Sequence, residues 1–343
     1  MKPMNPENPL NPLNLGNGRS GRSLPDLVIR SEQPEDYQEI NRMTVLAFQH
    51  HPYCTEGALT ALLRARPGYQ AELSLVAASG ERIIGHALFN PLTMRIQGEE
   101  MAAVLLAPLA VHPDVQRMGI GSRLVSEGHR RAAAGGFRFS FLLGHPGYYP
   151  RLGYVSAMFG KQIRRIAASD LPEPPSLAPL EEKRVQESDL PELARLWEIW
   201  YGGADFVRKP TGSITDWIST NSRICSVSVW IDNQLVGYLR YDKEQPRRVL
   251  TFLARDRESA LQLLSLLAAR LPAGAPCLEL TLPAGDLPLM PLPCEAANER
   301  WDAAMLCPLD RKDERLLRYM QEVADGRVLP GPVIWPPEYE GEE

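Results

Sequence analysis

The sequence predicts a mixed α/β protein, of the α+β kind with mixed sheets, that is built as two domains. Its 343 residues correspond to roughly two domains at ~100–200 residues each. Strand-like apolar runs alternate with helix-like periodic segments in both halves of the chain. A proline-rich stretch, SDLPEPPSLAPL at 169–180, separates the halves and is typical of a semi-rigid linker.

The composition is that of a folded globular chain. Apolar residues make up 44% and charged residues 23%, so a largely disordered or collagen-like chain is excluded. No run of 18 apolar residues occurs, and the first ten residues lack the apolar core of a secretory signal, so we expect no membrane span. The net charge of −5 gives no reason to expect a nucleic-acid partner.

Cysteine spacing and charge distribution bear on the expected compartment, on disulfide and metal sites, and on which half could hold an anionic cofactor. No Cys-x-x-Cys pair occurs, so we expect a cytoplasmic protein without a disulfide framework or a metal site. Residues 1–179 carry 18 basic and 15 acidic side chains, whereas residues 180–343 carry 19 and 27. The first half is therefore the better candidate to hold an anionic cofactor. The five cysteines are Cys54, Cys225, Cys277, Cys294 and Cys307.

Local composition sets the predicted domain limits. Residues 1–25 repeat Asn-Pro at every third position and then become rich in asparagine and glycine. Such a segment buries little apolar area, so we predict a disordered N-terminal tail. We predict the first domain at 26–168, the linker at 169–180 and the second domain at 181–343.

Prolines and glycines at the ends of periodic segments predict the elements of the first domain. Apolar residues at helical spacing follow Pro34, and a second helical pattern stops at Pro67-Gly68. Gly80-Glu81 and Gln97-Gly98-Glu99 separate strand-like runs and predict two hairpins. In chain order, the predicted elements are a strand at 27–30, helices from Pro34 and at 56–66, strands at 72–79 and 82–90, a strand through Ile96, a strand at 102–111, a helix at 119–134, a strand at 137–143 and a helical turn at 147–152.

The segment 105–121 carries the pattern with chemical content. A buried strand ends near Val111, and a short turn leads to the loop Gln116–Gly121, which opens a helix. Its two glycines let the backbone approach an anion closely. The first-turn amides have no intrahelical partner and carry the positive end of the helix dipole. The pattern predicts a site for a phosphate group.

The pair Gly119-x-Gly121 alone is also typical of a strand-to-helix turn whose glycines serve tight packing, and that interpretation stays open. A P-loop is not indicated, because no Gly-Lys-Ser/Thr follows. A Rossmann fingerprint fits poorly, because the third glycine is missing and the preceding strands form hairpins.

Two further features favour a ligand site. Pro108 lies inside the strand, where it predicts a bulge that would leave backbone groups free for an extended ligand. After the next strand, Tyr149-Pro-Arg151-Leu-Gly153-Tyr154 places a tyrosine close to that opening.

These motifs, in this order, resemble those of the GCN5-related N-acetyltransferase (GNAT) superfamily. The Gln116–Gly121 loop after an LAV-x-P strand corresponds to that family's acetyl-CoA pyrophosphate motif, and 149–154 to its Tyr-x-Lys/Arg-x-Gly-Phe motif. LLGHPGYYPRLGY is also similar to the LGDPAYYxRFGF stretch of the YhbS-like branch, with His145 in place of the usual Asp. The resemblance covers about 27–165.

The resemblance implies that acetyl-CoA, the co-substrate, lies in a splayed gap between two strands. The backbone of Leu109 and Val111 would pair with the pantetheine arm, and the Leu109 amide would polarise the thioester carbonyl. An amine would attack directly in a ternary complex, and Tyr149 would protonate the departing thiolate as general acid. The implied cofactor-binding residues are Leu109, Ala110, Val111, Gln116, Arg117, Met118, Gly119, Ile120, Gly121, Ser122 and Arg151.

Alternatives remain open for several of these side chains. Tyr149 could instead pack the cofactor arm or the core, and Tyr148 competes for its role. Arg151 could be a surface ion-pair residue. The sequence does not identify the general base. The candidates are a water relay and the histidines at positions 86, 112 and 145.

The second half repeats the order of elements with a different loop. We expect a strand that begins at Arg184, a helix after Ser188-Asp189, a hairpin that turns at Asn233-Gln234, and a strand, helix and strand over 249–282. Arg255–Glu258 stands where the glycines would be, and its two carboxylates would compete with a phosphate for the helix amides. The order resembles a second, degenerate GNAT fold.

Tandem GNAT folds of this kind resemble the Eis-type aminoglycoside acetyltransferases. Those proteins add a sterol-carrier-like domain and place a terminal carboxylate at the active site as base, but only 51 residues follow Leu292 here. The resemblance therefore implies acetylation of a primary amine of a small molecule or peptide, without naming that acceptor. A non-catalytic acyl-CoA-binding sensor or scaffold is the alternative of a different class, and a homo-oligomer is left open.

The composition of the N-terminal tail leads to a first prediction. Deletion of residues 1–25 should leave the melting temperature and the affinity for CoA unchanged within error, because the segment buries little apolar area. Thermal unfolding and calorimetric titration of the deleted and full-length chains test this. A loss of several degrees would show that the tail packs on the fold.

Overall fold

The computed structural model describes residues 26–49, 56–172 and 180–339, and within them the predicted mixed α/β class is confirmed. The predicted tail at 1–25 and residues 173–179 of the predicted linker lie outside the described residues. The helices are α1 (Tyr37–Phe48), α2 (Glu56–Arg64), α3 (Ile120–Ala134), α4 (Leu190–Tyr201), α5 (Arg257–Ala268) and α6 (Glu314–Ala324). The strands are β1 (Leu27–Ser31), β2 (Ser74–Ser79), β3 (Arg82–Ile96), β4 (Glu99–Val111), β5 (Phe139–Leu143), β6 (Phe159–Ala167), β7 (Glu181–Arg184), β8 (Val207–Arg208), β9 (Ile224–Ile231), β10 (Gln234–Asp242), β11 (Arg248–Ala254), β12 (Cys277–Thr281), β13 (Glu295–Arg300), β14 (Ala304–Pro308) and β15 (Gly331–Pro332).

The first sheet has the strand order β1-β2-β3-β4-β5-β14, with β8 beside part of β3. Strands β1 to β4 are antiparallel neighbours, whereas β4 and β5 run parallel and are joined by α3. Positive φ angles at Gln97 and Gly98 form the predicted tight turn between β3 and β4. The apolar side of α3 packs on one face of this sheet, and α1 and α2 pack on the other.

The second sheet has the order β13-β6-β12-β11-β10-β9-β7, with β15 beside β6. It repeats the plan of the first sheet: β7, β9, β10 and β11 are antiparallel neighbours, and α5 joins the parallel pair β11 and β12. Helices α4 and α5 supply the apolar side chains of its core, among them Trp197, Trp200 and Leu264.

Each sheet is completed by a strand from the other half of the chain. β6 follows β5 in sequence but pairs with β12 of the second sheet, where Ile166 stands opposite Leu278. β14 pairs instead with β5 of the first sheet, where Leu306 stands opposite Phe141. The side chains of Leu306 and its neighbour Met305 are fully buried, and each such burial typically contributes about 1.5–3 kcal/mol. Each sheet therefore depends on the other half of the chain.

The predicted positions of one strand and one turn in the second half were wrong by a few residues. The strand expected to begin at Arg184 ends there as β7, because Gln186 and Asp189 cap the helical turn that follows. The hairpin between β9 and β10 turns at Asp232-Asn233, one residue earlier than expected. Both turn residues have positive φ, a conformation that Asp and Asn tolerate better than glutamine does.

Strand β3 runs without a break through Pro91, where the sequence suggested two separate strands. Its last pair with β2 joins Leu88 to Ser74, and its pairing with β8 starts at Met94. Pro91 falls between these two pairings, so its missing amide hydrogen interrupts no ladder on that side.

The exchange of strands predicts how the chain behaves when its linker is cut. A protease site inserted within 173–179 and then cleaved should leave the two pieces bound to each other, because β6 and β14 each pair with the other piece. Size-exclusion chromatography before and after denaturation measures this. Two folded pieces that separate without denaturant would contradict the prediction, and the uncut insertion variant is the control.

Candidate functional site

A wedge-shaped gap opens in the first sheet between β4 and β5. These strands pair at only three positions, the last of which joins Leu105 to Phe141. Beyond Leu105, β4 continues to Val111 and pairs with β3 alone. The side of β4 that faces β5 is therefore unpaired over its last six residues, at the end that leads into α3.

A bulge in β4 lies at the mouth of this gap, as Pro108 predicted. Ala87 pairs with Leu109 and Phe89 with Leu106, so two residues of β4 stand opposite the single residue Leu88. An extra residue of this kind bends a strand and increases its twist. The bulge turns the end of β4 away from β5.

Asn90 holds the bulge, a role that the sequence interpretation missed. Its side-chain amide is 5% exposed and donates to the carbonyls of Leu105, at 3.2 Å, and Ala107, at 2.8 Å. These carbonyls flank the point where β4 leaves β5. The signal in the sequence was a single asparagine inside the apolar run ALFNPL.

The backbone of β4 presents alternate residues to the gap. The His112 amide donates to the Ile84 carbonyl at 3.0 Å, and antiparallel pairs alternate between bonded and non-bonded positions. The backbone groups of Leu109 and Val111 therefore face the gap, whereas those of Ala110 face β3. The Gln116 side chain donates to the Val111 carbonyl at 3.1 Å and so covers one of the groups in the gap.

The loop before α3 forms a cradle of backbone amides at the wide end of the gap. Gly119 is the N-cap with φ of 81°, and Arg117 has φ of 66°. A non-glycine residue costs roughly 1–2 kcal/mol in this conformation, and such costs concentrate at functional loops. The amides of residues 117–122 donate to no acceptor among the described residues. Gln116 and Arg117 are exposed, Met118 and Ser122 are half-buried, and Ile120 is buried.

Tyr148 reaches the cradle from the far side of the gap. Its hydroxyl lies 3.3 Å from Ser122 Oγ and would lie 2.7 Å from a Cβ atom added at Gly121. Glycine at 121 thus makes room for that hydroxyl. The guanidinium of Arg151 lies 4.3 Å from the centre of the Tyr148 ring. Arg151 therefore packs on the same tyrosine that reaches the cradle.

Tyr149 packs deeper, against the core below the gap. Its ring contacts those of Tyr148, at 4.9 Å, and Tyr154, at 5.6 Å, and lies against Gly144, where a side chain would collide with it. Burial, with a smaller contribution from Tyr148, raises the pKa of the Tyr149 hydroxyl above its usual range. A phenol is protonated at neutral pH in either case, so the Tyr149 hydroxyl can act as a donor.

The three histidines considered as bases occupy different surroundings. His145 is exposed, and half-buried His112 accepts a hydrogen bond from the Asp114 amide at 3.3 Å through Nδ1. His86 is completely buried on β3, where it contacts Ser74 and Glu32.

Comparison with known proteins identifies the family of this site. Residues 28–157 match the family described as acetyltransferase (GNAT) domain. The uncharacterized N-acetyltransferase YhbS of Escherichia coli is 33% identical over 132 residues, which are 38% of this chain and 75% of YhbS. The chain belongs to the GNAT acetyltransferase family. Another E. coli relative, the uncharacterized N-acetyltransferase YjhQ, is 34% identical over 119 residues; these are 35% of this chain and 64% of YjhQ, just under two thirds of its length.

Solved structures extend the likeness to both halves. Eis1 from Mycobacterium abscessus is 17% identical, with a TM-score of 0.57 over 82% of this chain and 74% of that chain. The tandem GNAT fold expected from the sequence is thereby confirmed. E. coli YhbS has been solved in complex with CoA; that structure is 30% identical over 41% of this chain and 74% of its own, with a TM-score of 0.34.

The second GNAT fold has an equivalent gap, but its own side chains fill it. β11 and β12 pair at only two positions, which join Arg248 to Glu279 and Val249 to Leu280. The Tyr201 hydroxyl accepts from the Phe252 amide at 3.4 Å and donates to the Thr281 carbonyl at 2.9 Å, and so joins the two strands across the gap. The Trp200 indole donates to the Ala254 carbonyl at 2.7 Å. These are the backbone groups that correspond to those of Leu109 and Val111.

The helix that follows this second gap is also capped by its own chain. Asp256 is the N-cap of α5, and its carboxylate accepts from the Ser259 amide at 2.8 Å. A carboxylate at this position is favoured by the helix dipole and takes an amide that a phosphate would need.

The described residues contain no group of three or more His, Cys, Asp or Glu side chains that could hold a metal ion. In the same part of the chain, no helix has both the length and the apolar character needed to cross a membrane.

The contrast between the two gaps predicts one CoA per chain. Gly119→Asp should abolish binding, because it adds a carboxylate at the cradle. Gly274→Asp is the matched control, since Gly274 also has a positive φ, of 82°, with open space around it. Asp256→Gly should create no second site, because Tyr201 and Trp200 still fill that gap.

Isothermal titration of CoA into each variant measures the stoichiometry and the affinity. A stoichiometry near two for the natural chain, or full affinity in Gly119→Asp, would show that the cofactor site lies elsewhere.

Proposed function

We propose that this chain is an acetyl-CoA-dependent N-acetyltransferase that acts on a primary amine of a small molecule or peptide. The observation that carries the proposal is the gap in the first sheet. Its free backbone edge, at Leu109 and Val111, leads directly to the amide cradle before α3. The corresponding gap of the second sheet is filled, so a single site is proposed.

The residues present fit an extended thioester with a diphosphate group. The open edge of β4 can bond an extended amide-containing arm as an added strand would, and the amides of residues 117–122 can bind the diphosphate. In this proposal Gln116 gives up the Val111 carbonyl, and Tyr148 moves from Ser122 or donates to the incoming phosphate. Arg117 and Arg151 supply positive charge at the rim.

The proposed reaction is a direct transfer. The Leu109 amide donates to the thioester oxygen as negative charge develops there, a contact of a kind typically worth about 2.7–4 kcal/mol. The amine nitrogen forms a bond to the carbonyl carbon, the C–S bond breaks, and its electron pair goes to sulfur. Tyr149, which like any phenol is protonated at neutral pH, donates the proton that the thiolate takes up.

Thiol release from acetyl-CoA tests the proposal directly. The full chain is mixed with acetyl-CoA and a panel of polyamines, aminoglycosides and peptides, and the products are checked by mass for an added acetyl group. Tight CoA binding without thiol release for any amine would favour the sensor or scaffold function instead.

The position of Tyr149 leads to a kinetic prediction. Tyr149→Phe should lower kcat by about 10²–10⁴-fold, the usual contribution of a general acid, and leave the affinity for acetyl-CoA nearly unchanged, because the hydroxyl acts only as the thiolate leaves. Tyr148→Phe should show the opposite pattern, with weaker CoA binding and a smaller change in kcat. A Tyr149→Phe enzyme that retains its kcat would remove this residue from the mechanism.

A further inference from the structure

A buried polar cluster lies one strand away from the gap. His86 on β3 has no exposed surface, and its Nε2 lies 3.0 Å from Ser74 Oγ and 3.2 Å from Glu32 Oε2. Glu32 follows β1 and is only 3% exposed. Buried ionisable groups are costly unless they are paired, so the partners of this carboxylate decide its state.

Glu32 is held as a carboxylate by its neighbours. Arg64, the last residue of α2, donates to both oxygens, with Nε to Oε1 at 2.7 Å and Nη2 to Oε2 at 2.6 Å. The Tyr69 hydroxyl donates to Oε1 at 2.5 Å. Burial opposes ionisation, but the hydrogen bonds from Arg64, His86 and Tyr69 hold the pKa of Glu32 well below its usual range.

This carboxylate fixes the tautomer of His86. An ionised carboxylate only accepts hydrogen bonds, so the proton between the two groups belongs to Nε2 of the imidazole. The lone pair of the ring then lies on Nδ1, which has no hydrogen-bond partner among the described residues. Burial lowers the pKa of His86, so the ring is neutral at pH 7. The cluster thus presents a buried proton acceptor without a proton donor.

The register brings His86 next to the edge of the gap. It stands opposite Ala110, between the two residues whose backbone groups face the gap. Ala110 lies in a small core with α1, on the face of the sheet opposite α3. The cradle at the start of α3 occupies the other face, so an amine that meets the thioester from the α1 side of the sheet arrives on the side of His86. The side chain of Ala110 is only a methyl group, so little bulk separates the amine from the His86 ring.

We propose that His86 is the general base of the transfer and that Glu32 positions it. The proposal rests on the proposed function and names a residue for the one step that the gap, the cradle and Tyr149 leave without a group. Arg64 and Tyr69 act through Glu32 by keeping it ionised.

The proton balance of the step is closed. As the amine nitrogen bonds to the carbonyl carbon, its proton becomes far more acidic than that of a free ammonium ion, so a weak base is sufficient. Nδ1 of His86 takes that proton, and the imidazolium is stabilised through Nε2–H by Glu32. After the amide forms, His86 returns the proton to solvent, and Tyr149, which has protonated the CoA thiolate, recovers one.

The rate should therefore depend on pH in a specific way. The charged groups that act on His86 are Glu32, Arg64 and, with a smaller effect, Asp36. From α1 and β4, Ile40, Met43 and Ala110 form the small apolar core on this face, and α1 also buries the polar side chain of Thr44. An ordinary histidine titrates near pH 6.5. Because the pKa of His86 is lowered, protonation of this base should reduce kcat only below pH 6.5, measured at saturating amine. At low amine concentration the rate falls at higher pH as well, because a free primary amine becomes protonated below about pH 10.

The test compares three single variants, His86→Gln, His112→Gln and His145→Gln, in the full chain. The acceptor is the amine of the panel that gives the fastest thiol release. At pH 7 we expect His86→Gln alone to lose about 100-fold or more in kcat, with CoA affinity unchanged in calorimetry. The loss should shrink toward pH 9, as hydroxide and free amine replace the base.

A second measurement reports on the cluster without turnover. In chains with ¹⁵N-labelled histidine, the His86 ring should show a protonated Nε2 and an unprotonated Nδ1 at pH 7. Glu32→Gln should give a mixture of tautomers, because its amide can both accept and donate, with a smaller loss of kcat than His86→Gln.

Each outcome decides something. A His86→Gln enzyme with full kcat would overturn the proposal, and so would one whose loss of kcat is the same at every pH. Either result would show that the cluster only stabilises the fold, while the acetyltransferase function stands. A deficit confined to His112→Gln or His145→Gln would assign the base there instead. If the natural chain releases thiol with no amine of the panel, the proposed function fails, and the role of His86 fails with it.

Discussion

A β-sheet keeps its backbone groups paired, and the central constraint on this structure is the place where that pairing stops. Beyond Leu105, β4 no longer bonds to β5, so its edge carries free donors and acceptors inside the protein. Unpaired buried backbone groups are costly. The bulge at Pro108 and the Asn90 amide hold the strand in this arrangement, and the loop that opens α3 follows the unpaired end of β4. The cofactor edge and the anion cradle both follow from that one separation.

The second sheet shows what happens when the same separation serves the fold alone. Tyr201 and Trp200 reach into its gap from α4 and satisfy the backbone groups there. Two large side chains thus do for the second fold what a ligand is proposed to do for the first. The difference between the folds lies in α4 as much as in the loop before α5. A phosphate loop restored on its own would still face a filled gap.

The parts of the fold that depend on neighbouring residues could be predicted from the sequence. The turn at Gln97-Gly98, the bulge at Pro108 and the glycine-opened helix each follow from a few adjacent residues. The exchange of β6 and β14 could not be predicted, because pairing across more than a hundred residues leaves no local mark. Strands β8, β13 and β15 and helix α6 were missed as well: two of these strands are only two residues long and the other, EAANER, is polar.

In the candidate site too, the parts formed by adjacent residues could be predicted from the sequence, and the parts formed by distant residues could not. Its backbone part, from Leu109 to Ser122, is contiguous in sequence and carries a recognisable pattern, and its assignment to the cofactor remains a prediction. The polar cluster around Glu32 and His86 joins residues from four separate segments, so no spacing rule reveals it. Tyr148 and Tyr149 are adjacent, and only the structure shows that the first reaches the cradle while the second packs against the core.

The exchanged strand β14 has a consequence for the chain while it is being made. β5 leaves the ribosome about 160 residues before the strand that covers its outer edge, which is roughly 10–30 s at synthesis rates of ~5–20 residues per second. During that interval β5 presents an unpaired edge of the kind that promotes association between chains. Neighbouring ribosomes on one messenger RNA hold nascent copies close together, so two exposed β5 edges can meet. The yield of correctly folded protein should depend on how quickly the residues between β5 and β14 are made, and on chaperones that cover the edge until β14 follows.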